Sequence, residues 1–215
     1  MQDSTENDDH EEEWTREERA LLEKLDTPEK IQKFLDSIPY NTDLQCRSPR
    51  RVMRDRVAHC MEGALFTAAA MRYHDQECLL LDLVSVRDDD HVVALFKRHG
   101  RWGAIGKSNF SGLRFREPVY RTLRELVMSY FEDFFNKAAE KTLRCYSHPF
   151  DMRKFDAIGW MTTDKDLNFI GHYIDKTPHI RIMTRGMARS LSRVDKRLYG
   201  AGMVGVNPRG LFKGK

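Results

Sequence analysis

Ala58-His59-Cys60-Met61-Glu62-Gly63-Ala64 opens a run, Leu65-Phe66-Thr67-Ala68-Ala69-Ala70-Met71, with almost no polar face. A helix this apolar is buried nearly all round, and its alanines allow other backbone to come close. Cys60 stands at its head. Downstream, Leu79 to Val84 reads as a central strand, and Arg87-Asp88-Asp89-Asp90 as a turn. His91 to Phe96 reads as a second strand and Trp102 to about Lys107 as a third. If His99-Gly100 is a two-residue turn, Lys97 faces Trp102, Leu95 faces Ala104, Val93 faces Gly106 and His91 faces Ser108. A slip of one residue would set Lys107 or Asn109 opposite His91 instead.

Upstream, Trp14 to Leu25 reads as a helix with Leu21, Leu22 and Leu25 on one side. Thr27-Pro28-Glu29 is an N-cap, a first-turn proline and a first-turn acid, and the helix it starts runs to about Ile38. Ser48-Pro49 opens another short helix or turn. Pro118-Val119-Tyr120 is expected to begin a long helix carrying Leu123, Leu126, Val127, Tyr130, Phe131 and Phe134 at helical spacing. Beyond Cys145 the only regular element expected is a short helix near Leu167 to Ile174.

The 40% hydrophobic and 32% charged composition fits a globular chain, and no apolar run is long enough to cross a bilayer. The acidic start lacks the basic and apolar parts of a secretory signal, so a cytoplasmic setting is the expectation. There Cys46, Cys60, Cys78 and Cys145 are expected as free thiols. A zinc set of His59, Cys60, His74 and Cys78 lacks ligand-like spacing, so neither a metal nor a cofactor is expected. The +3 net charge hides an acidic beginning and a basic end. The basic Arg181 to Arg197 region would suit an acidic partner or nucleic acid, although two solvated ends is the plainer reading.

A thiol at a helix N-terminus with an imidazole beside it can be a nucleophile, because both favour the thiolate. The plainer reading of Cys60 is a small buried hydrophobe. The order Cys60, His91, then Gly100-Arg101-Trp102 opening the next strand resembles the transglutaminase-like superfamily, over roughly residues 40 to 140. The text around Cys60 and His91 is similar to an uncharacterised prokaryotic branch of it. That resemblance implies an α+β, papain-like core: the buried Cys60 helix packed on a small antiparallel sheet. It implies Cys60 as nucleophile, His91 as base, and hydrolysis or transfer at a peptide or amide bond. The family's aspartate falls at about Gly106 here, so Ser108 or Asn109 is expected to orient His91. A degenerate site that serves only binding is the competing reading.

The domain expectation is a disordered acidic segment over 1–13, a transglutaminase-like domain over 14–145, a packed extension over 146–199 and a flexible basic tail over 200–215. Other charges are read more plainly. Glu62 favours the helix dipole, Asp88 to Asp90 form a solvated turn rather than a cation site, and Lys107 is a candidate for meeting an anionic substrate. Membrane contact is not expected, and the sequence does not reveal the oligomeric state.

Overall fold

Three hydroxyl caps start the first three helices of the described residues, 14–214, in a computed structural model. The expectation of disorder over 1–13 lies outside the described residues. Thr15, Thr27 and Ser48 accept from the amides of Glu18, Lys30 and Arg51, and so begin α1 (Arg16–Leu22), α2 (Pro28–Asp36) and α3 (Pro49–Asp55). Each such cap contributes about 1 kcal/mol, and Pro28 and Pro49 add the φ a first turn needs. α4 (Cys60–Tyr73) then runs as its composition dictates, buried continuously from Met61 to Met71. Leu22, Ile31, Phe34, Leu35 and Val52 form one core with α4, together with Leu80, Val92, Ala94 and Phe96 from the sheet.

That sheet is antiparallel and seven-stranded: β1 (Leu79–Ser85), β2 (His91–Arg98), β3 (Arg101–Ile105), β4 (Arg116–Tyr120), β5 (Leu143–Ser147), β6 (Phe150–Asp151) and β7 (His179–Arg181). Its order is β4-β3-β2-β1-β5-β7, with β6 also on β1. The β2–β3 turn has φ of 52° at His99 and 71° at Gly100, a left-handed pair that matches the sheet's twist. It sets Leu95 against Ala104 and Lys97 against Trp102, the expected register. The ladder stops at Ile105. Buried Gln32 holds both backbone groups of Gly106, donating to its carbonyl at 3.1 Å and accepting from its amide at 3.1 Å. The strand therefore peels away before Ser108 reaches the ladder.

The long helix expected from Pro118 is not formed. Residues Arg116–Tyr120 are instead the edge strand β4, where a proline's missing N–H costs nothing. Thr122 caps a helix of only six residues, α5 (Leu123–Met128). Leu126, Val127, Tyr130 and Phe134 still reach a second core, against Leu81, Leu83, Val93 and Leu95 on the other face of the sheet. Helical spacing marked the burial correctly; it did not fix the backbone between the buried positions.

The sequence after Cys145 holds more structure than its sparse signals suggest. The expected boundary at 145/146 falls inside β5, and β5 and β7 extend the same sheet past β1. Between them come a 3₁₀ turn over Met152–Ile158 and α6 (Asn168–Asp175), and after β7 come α7 (Arg185–Arg189) and α8 (Lys196–Gly202). The segment expected to be a flexible tail is docked. Ser111 Oγ donates to the Ala201 carbonyl at 2.8 Å, and Gly202 lies so close under the Phe135 ring that a Cβ would sit 2.5 Å from it. All four cysteines are free thiols, and no helix of the described residues is long and apolar enough to cross a membrane.

Candidate active-site cleft

Cys60 is fixed in space by the residue two places after it. Glu62, with no exposed surface, accepts from the His59 amide at 2.7 Å, the Arg47 amide at 2.8 Å and the Asn41 side chain at 2.9 Å. It ties the head of α4 to the two loops that precede it, which is the structural role expected of it. A parallel bridge between Tyr40 and Ala58 then lays Tyr40 alongside the segment leading into Cys60.

The thiol is not the acidic one that a helix head alone would suggest. Burial pushes Cys60 up to about 11. The amides of Val92 and Met61 act in the opposite direction, while the carboxylates of Asp82 and Asp89 add to the rise. Its sulfur lies 3.9 Å from the Asp90 carbonyl, at the entry to β2. A few N–H dipoles do not offset the loss of water around a charged sulfur.

His91 is buried, at 4% exposure, with its ring edge-on to Tyr130 and Phe134. Its Nε2 lies 2.7 Å from the Leu113 carbonyl. A carbonyl only accepts, so the network places the proton on Nε2 and leaves the Nδ1 lone pair open. Nδ1 has no hydrogen-bond partner among the described residues. Burial holds the ring's pKa down at about 4; the Leu113 carbonyl favours the charged form and Arg116 opposes it. Thiol and imidazole are thus both neutral near pH 7, and no hydrogen bond joins them among the described residues: the thiol turns to the Asp90 carbonyl.

Neither residue expected to orient His91 does so. Ser108 Oγ accepts from the Phe110 amide at 3.0 Å, closing a local turn. Asn109 faces the C-terminal segment: it donates to the Asn207 carbonyl at 3.0 Å and accepts from the Asn207 amide at 2.8 Å. The Leu113 carbonyl takes the part instead, and Gly106 lets it. A Cβ at Gly106 would stand 3.2 Å from His91 Nε2 and 3.3 Å from the Leu113 oxygen. Where the resemblance places a carboxylate, this chain has an empty corner filled by backbone. A backbone carbonyl leaves no mark in the sequence.

Cys60, His91, Ser108 and Asn109 nonetheless line one cleft, with Tyr40 and Gly210 at its margin. It encloses about 30 Å³, roughly the share of one water in the liquid. Tyr40 was not foreseen. Burial drives its phenol well above its usual range, so it stays an O–H donor, and the Cys60 amide acts on the same oxygen. The Tyr40 O–H is thus a side-chain donor placed next to the Cys60 backbone. Lys107 faces no substrate: it is buried and donates to the Leu35 and Ile38 carbonyls at 2.7 and 2.5 Å, closing the C-terminal end of α2.

The arrangement is that of a part-exposed thiol, a neutral base with one nitrogen fixed and the other open, and the Tyr40 hydroxyl nearby. The roomier clefts, about 560 Å³ beside Trp102 and 480 Å³ beside Trp160, contain neither Cys60 nor His91. No protein-family model matches the chain, and no curated protein is similar to it.

Proposed function

We propose that this chain is a transglutaminase-like cysteine enzyme that acts on an amide or peptide carbonyl. The observation that carries the reading is that Cys60 and His91 border one cleft while the Leu113 carbonyl holds the far side of the imidazole. Because both groups rest neutral, the proton moves as the bond forms rather than beforehand. Cys60 Sγ attacks the carbonyl carbon and its proton passes to His91 Nδ1. The tetrahedral oxyanion is met by the Tyr40 hydroxyl, which the Cys60 amide holds in place. Collapse breaks the C–N bond, His91 returns the proton to the departing amine, and water or a second amine then takes the acyl group from sulfur. Loss of the proton-accepting nitrogen should cost about 10²–10⁴ in rate.

Acyl trapping tests this without a known substrate. The full chain is exposed to an activated p-nitrophenyl ester at pH 7.5, and each cysteine is followed by peptide mass spectrometry. Cys60 should acylate well ahead of Cys78, which is also desolvated but has no histidine. His91→Gln should remove the advantage by about 100-fold or more. Equal rates at the two thiols, or a Cys60 rate indifferent to His91→Gln, would overturn the assignment.

A second reading has its own support. The neutral resting pair and the tight cleft suit a protein that keeps this arrangement for binding rather than turnover. A separate groove of about 400 Å³, lined by Arg144, Arg181, Arg185 and Arg189, offers the surface for an acidic partner or nucleic acid. Under that reading Cys60 does not acylate, and retention on an anionic resin falls when Arg181 and Arg185 become Gln.

A further inference from the structure

Asp82 sits in the middle of a strand that is otherwise apolar, Leu79-Leu80-Leu81-Asp82-Leu83, and is 2% exposed. A carboxyl group there costs several kcal/mol unless it is paired, so its partners need an account. Its backbone amide is met by Ser147 Oγ, but the carboxyl oxygen Oδ1 has no hydrogen-bond partner among the described residues. The groups that do face Asp82 are mostly more acids. One carboxylate oxygen each from Asp82, Asp90 and Asp175 lie within 4.8 Å of one another. At the edge of the set His179 Nε2 is 3.6 Å from Asp82 Oδ2, in ion-pair range when the ring is protonated but without a hydrogen bond.

Four elements bring these groups together: β1, the turn entering β2, the end of α6 and the start of β7. Register explains the convergence, since β7 pairs with β5 at Ser147↔His179 and Ser147 meets the Asp82 amide. The two neighbouring acids offer the orphaned Asp82 oxygen no donor, and His179 gives only a longer-range pairing when its ring is protonated. A doubly charged ion at the centre would satisfy all three acids. Asp90 and Asp175 are exposed, which gives the ion a path in.

We propose that Asp82, Asp90 and Asp175 form a binding site for one divalent cation that takes oxygen ligands. Three carboxylate oxygens are hard donors of the kind that Mg²⁺, Ca²⁺ and Mn²⁺ take, and Mn²⁺ among them carries a spectroscopic signal. The site is separate from the proposed thiol chemistry and does not depend on it. The burial of Asp82 and its two acidic neighbours raises its pKa to about 8, in keeping with a group that lacks a counter-charge.

The test uses the full chain freed of metal by EDTA, with Mn²⁺ alone as the probe. Loss of the free-ion electron paramagnetic resonance signal should report one bound ion per chain. Saturation to about 100 times Kd should raise Tm by roughly 5–10 °C. Asp82→Asn should weaken binding by about 10-fold or more. Asp175→Asn, at an exposed position that leaves the core untouched, should do the same even if the first variant folds poorly. No capture of Mn²⁺ at about 1 mM, a concentration above ordinary protein sites, would overturn the proposal. So would binding unchanged in both variants.

Discussion

Glycine and histidine settle the most at the scale of single residues. Gly63 lets α4 approach the strand end so closely that a Cβ would lie 2.5 Å from Lys107 Cβ, the stiff end of that side chain. Gly63→Ala should therefore destabilise by about 1–3 kcal/mol in urea unfolding, an overpacking cost that an exposed glycine such as Gly200 would not show. His91 carries a pH signature. Its folded pKa of about 4 lies below the unfolded value of about 6.5, so the unfolded chain binds the proton first as pH falls. The native state is fully favoured above pH 6.5 and loses on the order of 3 kcal/mol between pH 6.5 and 4. Chemical denaturation across that window should show the slope in the parent and a flattened one in His91→Gln. An equal slope in both would place the titration elsewhere.

Two loops are held to the cleft through single polar hubs. Glu62 gathers Asn41, Arg47 and His59 at the head of α4, with nothing of its own exposed. Glu62→Ala leaves those donors buried and unanswered, and should cost about 3–5 kcal/mol by thermal or urea unfolding. Asn109 clasps Asn207 at both backbone groups and, with Tyr40, leaves a Cβ at Gly210 little room. Asn109→Ala should raise hydrogen exchange over residues 203–212 while shifting the core amides of α4 and β2 little. Exchange rising equally across the sheet would mean that the clasp supports the whole fold rather than one segment.

Across the molecule, the sequence disclosed elements whose local signals and buried faces agreed. The capped helices at Thr27 and Ser48, the all-apolar α4 and the β2–β3 register all followed from turn and cap chemistry. Pro118 misled because proline suits the start of a helix and an edge strand alike, and only the sheet's outer place for β4 decides between them. β5 and β7 were illegible for a different reason. Cys145 and His179 belong to short strands whose pairing is long-range, so little in their own neighbourhood marks them. Cys60 and His91 were read from their places at a helix head and a strand head. The groups around them were not, since the Leu113 carbonyl is backbone and Tyr40 arrives through a distant bridge. The acids at 82, 90 and 175 are likewise scattered in sequence and gathered only by the sheet.

The account turns on one nitrogen. A ¹⁵N correlation spectrum of the imidazole rings, resolved for His91 by comparison with His91→Gln, reads the tautomer directly. The account predicts a proton on Nε2 and a bare Nδ1 from about pH 5 upward, as a ring held by the Leu113 carbonyl and titrating near 4 requires. A proton resident on Nδ1 across that range would leave Cys60 without its base and contradict the proposed chemistry.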